Sequence, residues 1–473
     1  QMLAQEEEKR GSDEDSDEAS NEEDENTQPP KKTNTLSENL LSYKDILKTL
    51  LINSLPIFLS LFAVHADKAY ALYLLKHKNS DKELIAASGV GAAWLSVLGT
   101  HLFTSLNLGL TTKTSQAFGA KKLRLVGLYL HRAFIINLCL LVPSIIILII
   151  SDRVFIMLGV ATEIVDLTYK YLLYCIPGLF TFLIYNTLVS TLYGCGMFKI
   201  PSLIQVTSAL LYLMAAYLFI DVFDLELRGQ AICYNIMWTF STILLISYFW
   251  KHRPLKEIFF WPIKESYKEI WDLFKYEIVI GSMNWFDSIA AEILSIFTAT
   301  LNVAHIAAYS ISKSIYKITN PIASSIGTTS MSFAGNAIGS NNKENASRFI
   351  IMALRIGLFC CLIVEFVLWF WKDEILDIFS PDSETFSVSQ LVLGVYILKY
   401  PGDAFQKILG NALKAIGKEK AGSLIITLSN YVVGVPVAYL TCFKMKLGAE
   451  GIAIGAAAAV YVKAFLFGLV YWK

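Results

Sequence analysis

Charged residues are scarce in this sequence, and their scarcity excludes more than any motif asserts. Asp, Glu, Lys and Arg supply 17% of the 473 residues, hydrophobic residues supply 55%, and mean hydropathy is +0.50. That balance is foreign to soluble globular chains. Histidine occurs only six times and cysteine seven. No CxxC pair or Cys/His cluster has metal-ligand spacing, and Cys139, Cys175, Cys195, Cys233, Cys360, Cys361 and Cys442 fall in or at the ends of apolar segments. Neither a bound metal nor a structural disulfide is expected. The chain also lacks a nucleotide-binding signature and any nucleophile, base and orienting group in enzyme-like array. It is therefore not expected to be an enzyme, to hold a cofactor or to bind nucleic acid, and an ion gradient must drive whatever work it does.

Long apolar runs are what the sequence has instead. A bilayer core takes roughly 20 apolar residues per helix, and spans are read near 48–74, 84–111, 124–150, 164–193, 200–220 and 229–250, then 276–300, 307–332, 348–371, 388–413, 421–442 and 451–472. The second six repeat the first at an offset of about 220 residues. Gly119 corresponds to Gly339, Pro177-Gly178 to Pro401-Gly402, Ser202-Leu203-Ile204 to Ser423-Leu424-Ile425, and Gly229 to Gly451. The expected fold is an all-α polytopic membrane protein whose twelve transmembrane helices form two pseudo-symmetric six-helix bundles. Such duplicated bundles leave a cleft between halves through which many secondary transporters alternate access.

The net charge of zero hides a division, because residues 6–25 hold twelve acidic residues against Lys9 and Arg10. Residues 1–44 read as a disordered acidic cytosolic tail. Ser12 and Ser20, each with an acidic residue three positions on, are weak phosphorylation signals, and the tail is a candidate element for binding a cytosolic partner. Residues 45–250 and 276–473 form the two lobes. The connector 251–275 is expected to run partly as an amphipathic surface helix, with Lys256, Lys264 and Lys268 off its apolar face. Loops after even-numbered helices carry sixteen Lys and Arg against eight in the others, which places both termini in the cytosol. The absence of an initiator Met is consistent with a piece of a longer chain, and without a basic n-region or cleavage site the first helix is expected to be retained.

Several stretches, in the same order along residues 45–473, resemble the multidrug and toxic compound extrusion (MATE) family, eukaryotic type, of the multidrug, oligosaccharidyl-lipid and polysaccharide flippase superfamily. They are SQAFGAKKLRLVGLYLHRAF at 115–134, YCIPGLF and YGCGMFKIPSLI within 174–204, RGQAICYNI at 228–236, GNAIGSNNKENA at 335–346 and PGDAFQKILGNALKAIGKEKAG at 401–422. The glycines among them read as packing positions that permit tight turns and close backbone approach. Pro177 and Pro401 are expected to kink their helices and free a carbonyl toward the interior.

An ionisable side chain near the bilayer centre costs several kcal/mol unless paired or hydrated, so intramembrane charge marks candidate sites. Helix seven carries Asn284, Asp287 and Glu292, and helix ten carries Asp403. By resemblance, Asp287 and Glu292 match the family's two acidic positions in helix seven, with Ser288 and Ile289 in place of its Trp pair, and Asp403 matches the acidic residue lining the C-terminal cavity. The resemblance implies that Glu292 and Asp403 couple protonation or cation binding to substrate release. Lys313, Lys317 and Lys399 are possible modulators: they snorkel, hold static ion pairs, or neutralise the carboxylates and admit zwitterionic or anionic substrates. Lys317 and Glu292 come to similar depths, so that pairing is geometrically open. In helix one, Asp67 either binds a proton or cation or pairs with Lys68, or with His131 and Arg132 of helix three; His65 reads as a packing residue. Phe180, Tyr185, Trp285 and Phe405 flank the kinks and carboxylates and are the candidate cavity aromatics.

The expectation is a monomeric antiporter in the plasma membrane or a vacuolar or vesicular membrane. It exports organic cations or zwitterions, xenobiotics among them, in exchange for H+ or, less favoured, Na+. Two alternatives stand beside it: a flippase-like exporter of an amphiphilic or lipid-linked substrate, and a membrane scaffold that has lost transport, to which the altered helix one and Phe333 point.

Overall fold

The computed structural model describes residues 40–78, 82–157, 161–252, 257–379 and 383–472. The acidic segment, Ser12, Ser20 and Lys256 lie outside them. Among the described residues there is no strand. Twelve long helices follow one another: α1 (Tyr43–Lys78), α2 (Lys82–Leu95 and His101–Gly119, joined by a π turn at Ser96–Thr100), α3 (Leu123–Ile149), α4 (Thr162–Gly194), α5 (Lys199–Ala216, ending in a π turn) and α6 (Glu226–His252). The second six are α7 (Ile270–Ala299), α8 (Val303–Thr319 and Pro321–Gly339), α9 (Lys343–Phe370), α10 (Ser383–Ala415), α11 (Glu419–Thr427, continued by alternating π and α turns to Lys444) and α12 (Ala449–Trp472). Two short helices, Ser151–Met157 and Lys372–Phe379, follow α3 and α9 at corresponding places.

The duplication is visible in the turns. Left-handed backbone occurs at Lys121 and Asn341, at Gly196 and Gly417, and at Asp224 and Lys446, three pairs that match across the halves. The Lys122 amide closes on the Ala117 carbonyl as that of Asn342 does on Ala337, and the amides of Met197 and Lys418 close on Leu192 and Leu413. Each is a helix C-terminal closure that needs one residue at positive φ. The two large hydrophobic clusters divide likewise, one drawn from residues 71–245 and the other from 294–453.

The lobes meet crosswise. α2 packs against α7 and α8, and α1 packs against α8. At the crossing of α2 and α8, Gly119 lies on the backbone of Asn336 while Gly339 lies on the backbone of Gln116, so a Cβ at either glycine would enter the opposite main chain. These glycines, expected to serve tight turns, hold the two lobes in reciprocal contact. Phe333 joins the same seam between Phe198 and Phe349, with ring centroids 5.7 Å and 5.3 Å away.

At each proline the carbonyl three residues before it is bonded within its own lobe. The Asn235 amide of α6 bridges the α4 ladder at Pro177, accepting from the Gly178 N–H at 2.8 Å and donating to the Tyr174 carbonyl at 2.7 Å. At Pro401 the Tyr461 hydroxyl of α12 donates to the Leu398 carbonyl. Within the connector, residues 257–269 form one 3-10 turn, Lys264–Tyr267, and 270–275 are the start of α7. The connector's backbone and Ser266 are claimed by α3, where the two His131 ring nitrogens each lie 3.0 Å from the Ser266 hydroxyl and the Phe260 carbonyl. Before α1, the Leu41 backbone bonds Asn345 and Arg348 of α9.

Candidate functional site

Among the described residues nine of the helical spans, all six of the first lobe and three of the second, are long and apolar enough to cross a membrane. The three that are too polar for that description are α7, α8 and α10. They carry Asp287, Glu292, Lys313, Lys317, Lys399, Asp403, Lys407 and Lys414. Along α10, Lys399, Asp403, Lys407 and Lys414 recur at intervals of four, four and seven residues, which keeps them on one helical face.

Asp403 is 2% exposed. Its Oδ2 accepts from the Tyr316 hydroxyl of α8 at 2.7 Å and pairs with Lys399 Nζ at 3.6 Å, and its Oδ1 accepts from Gln406 at 3.1 Å. Lys399 Nζ also sits 4.1 Å from the ring centre of Tyr316 and 5.0 Å from that of Tyr396, where the quadrupole of each ring favours a cation. A buried carboxylate is thus given one ammonium, one hydroxyl and one amide. Buried charge persists only when its remaining lone pairs are satisfied in this way.

Asp287 sits differently. Its Oδ1 is 2.5 Å from Lys463 Nζ and accepts from Asn430 Nδ2 at 2.9 Å, yet its side chain keeps 41% of its accessible surface while Lys463 keeps 3%. A buried lysine thus faces a half-open carboxylate. One turn before it, exposed Asn284 accepts from the buried Lys414 Nζ at 2.9 Å, and Asn411 accepts from the same ammonium at 3.1 Å. Lys407 Nζ donates to Ser324 at 2.9 Å and to Asn320, the residue at the break of α8. α7, α8, α10 and α12 therefore converge on one polar interior holding Asp287, Asp403 and four lysines.

The other candidate residues are placed as follows. Glu292 is half-buried and lies within electrostatic reach of Lys313, whose ammonium donates to Ser295 at 2.5 Å. Among the described residues no Lys317–Glu292 ion pair forms, and Lys317, one turn after Lys313 on α8, is exposed. Asp67 is buried in α1, but the partners offered to it on α3 are taken by the connector, with Arg132 bonding Glu269 at 2.9 Å and His131 bonding Ser266. The Lys68 side chain lies outside the described residues, and His65 is half-buried.

The aromatic candidates divide. Tyr185 is not a cavity wall but a core residue, 4% exposed, with its hydroxyl donating to the Pro201 carbonyl at 2.9 Å. Trp285 is anchored in the seam between lobes, where its Nε1 donates at 2.9 Å to the Val97 carbonyl in the π turn of α2. Phe180 is exposed on α4 and Phe405 half-buried on α10.

Sequence reasoning missed Lys407, Lys414, Lys463, Tyr316 and Asn430. The lysine in the otherwise apolar run AAAAVYVKAFLFG of α12 was the readable signal for Lys463, and the four-residue rhythm along α10 was the signal for Lys407. Glu277 of α7 was also missed. It is fully buried against Gly109 of α2, and among the described residues neither of its carboxyl oxygens has a hydrogen-bond partner.

The MatE family model matches residues 56–218 and 280–440, one block in each lobe. Multidrug and toxin extrusion protein 2 of Mus musculus is 25% identical over 430 residues, covering 90% of this chain and 72% of that one. Multidrug and toxin extrusion protein 1 of Xenopus tropicalis is 26% identical over 389 residues, covering 80% and 67%. The crystal structure of the eukaryotic MATE transporter AtDTX14 superposes with a TM-score of 0.83 at 18% identity, covering 91% of this chain and 96% of the other. With both repeats matched and the twelve-helix fold shared, the chain belongs to the MatE family of multi-pass membrane transporters.

Proposed function

We propose that this chain is a secondary antiporter that exports organic cations or zwitterions in exchange for protons, by alternating access between the two lobes. The observation that carries this reading is the interior of the C-terminal lobe, where Asp403 and Asp287 are each held by a lysine. A carboxylate that loses its charge on protonation releases its ammonium partner, so proton occupancy of Asp287 and the arrangement of α7 and α12 are linked. Proton and substrate cation then compete for one half-open carboxylate, Asp287, and that competition makes exchange obligatory. Glu292, in reach of Lys313, extends the same system toward the far end of α7.

Lobe movement has a physical basis in the seam. Gly119 and Gly339 hold α2 and α8 in backbone contact at one end, and opening that end requires the crossing to part. Both termini facing the cytosol, in the plasma membrane or a vacuolar or vesicular membrane, place this closed end at the cytosolic side, which makes the arrangement outward-facing. Sodium coupling is less favoured, because the carboxylates are met by lysines rather than by further oxygen ligands.

The test is movement of a fluorescent organic cation in proteoliposomes under an imposed pH gradient, comparing the native chain with Asp403→Asn, Asp287→Asn and Glu292→Gln. Gradient-driven movement lost in Asp403→Asn or Asp287→Asn supports the reading. Movement that ignores the gradient, or that follows sodium instead, refutes it.

A further inference from the structure

The C-terminal interior holds more positive charge than its carboxylates match. Lys399 is matched by Asp403 and Lys463 by Asp287. Lys407 and Lys414 are bonded to neutral oxygens instead, those of Asn320 and Ser324 and those of Asn284 and Asn411. Among the described residues no carboxylate oxygen lies within 4.0 Å of either ammonium. Asp287 and Asp403 act on Lys407 only from longer range, and Asp287 alone does so on Lys414. An ammonium taken out of water costs several kcal/mol unless an opposite charge meets it, and Lys414 is 2% exposed.

The two lysines stand seven residues apart on α10, on one face and about 10 Å apart along the axis. The face they share is roofed by amides, Asn284, Asn320 and Asn411, that orient the ammonium groups without neutralising them. Exposed Asn284 opens the patch beside half-open Asp287. An accessible carboxylate thus neighbours two ammonium groups that lack a counter-ion. That arrangement is complementary to a dipolar ligand and leaves unpaired charge against a simple organic cation.

We propose that Lys407 and Lys414 form a subsite for an acidic group on the transported solute, a carboxylate, sulfonate or phosphate, and that the substrate is a zwitterion whose cationic end lies at Asp287. This rests on the exporter reading above and narrows its substrate class. The amides give the acidic group further donors once it arrives, since among the described residues the oxygens of Asn284, Asn320 and Asn411 hold the lysines and their Nδ2 groups make no hydrogen bond. Selectivity follows from opposite signs a short distance apart: a cation meets Asp287 and is repelled by Lys407, and an anion alone lacks the Asp287 contact.

The test uses three aryl probes of matched size: benzyltrimethylammonium as cation, phenylacetate as anion and 4-(trimethylammoniomethyl)benzoate as zwitterion. Their binding to the full chain in nanodiscs is measured by equilibrium dialysis without any gradient. The zwitterion is expected to bind roughly tenfold or more tightly than the cation, and Lys407→Gln to remove that advantage, as expected on truncating one partner of a buried charge pair. Lys407→Arg and Lys414→Arg keep the charge, retain most of the gain and control for folding. A cation that binds as well as the zwitterion, a gain that survives Lys407→Gln, or no zwitterion binding at millimolar concentration would each overturn the proposal. Proton-driven movement of the cation with no zwitterion preference fells the subsite alone. A lysine-dependent preference with no gradient-driven movement fells the exporter reading alone.

Discussion

Where α2 and α4 meet in the N-terminal lobe, Asn107 donates to Asn186 at 2.6 Å, and Asn137 donates to Asn107 at 2.9 Å and to Thr187 at 3.0 Å. The repeat places Asn107 and Asn186 opposite Gly327 and Gly410, and there the C-terminal lobe builds its polar interior from Asp287, Lys399, Asp403, Lys407, Lys414 and Lys463. Where these helices meet, the first lobe joins them through neutral amides, with Asn137 Oδ1 left without a hydrogen-bond partner among the described residues. The other joins its helices through ions, among them the Lys399–Asp403 and Lys463–Asp287 pairs. The same duplicated fold therefore holds one interior bonded by amides and one built of ions. The difference is readable in hydropathy as well, since every span of the first lobe is apolar enough to cross a membrane and α7, α8 and α10 of the second are not.

The largest expected effect comes from breaking an ion pair on one side. Asp287→Leu leaves the buried Lys463 ammonium without its carboxylate and should cost roughly 3–5 kcal/mol, read as a fall in the thermal midpoint of the purified protein. Asp287→Leu combined with Lys463→Met should recover most of that stability while transport stays lost. A double variant as unstable as the single one would refute the pairing. In the N-terminal lobe, Asn137→Leu should cost about 1–3 kcal/mol by stranding Asn107 and Thr187, yet leave the pH dependence of transport where it was. A shifted pH profile there would erase the distinction between the lobes.

Glu277 sharpens the comparison from the seam, because it belongs to α7 and is buried against α2. An unpartnered buried carboxyl is a burden on the closed seam, so Glu277→Met should stabilise the protein by about 1–2 kcal/mol; a loss of stability would mean that the carboxyl is bonded in the native protein. The smallest effect is expected at the proline staple, where Tyr461→Phe removes one hydrogen bond to Leu398 worth about 1 kcal/mol. A change of several kcal/mol would show that the kink of α10 depends on that hydroxyl.

Much of this organisation was legible in the sequence. Twelve apolar runs and an offset of about 220 residues carry the fold because membrane spans must be long and duplicated turns reuse the same left-handed positions. Asp287, Glu292 and Asp403 were legible because acidic residues stand out in apolar segments. The Lys399–Asp403 pair followed from its four-residue spacing. Partners on different helices were not legible: nothing in sequence spacing brings Lys463 to Asp287 across 176 positions or Tyr316 to Asp403 across 87. Tyr185 misled because a tyrosine near a proline kink reads alike whether its hydroxyl faces a cavity or the Pro201 carbonyl. The connector's apolar periodicity was a sound signal at 270–275, which begin α7, while contacts with His131 and Arg132 hold the preceding residues in a less regular form.

The central claim is that proton coupling resides in the ionic lobe and not in the amide lobe. The most direct test compares gradient-free exchange with pH-gradient-driven accumulation of one fluorescent cation in the same proteoliposomes, for the native chain, Asp403→Asn and Asn137→Leu. The account predicts that Asp403→Asn retains exchange and loses accumulation, while Asn137→Leu retains both. Accumulation that persists in Asp403→Asn, or is lost in Asn137→Leu with exchange intact, would contradict it.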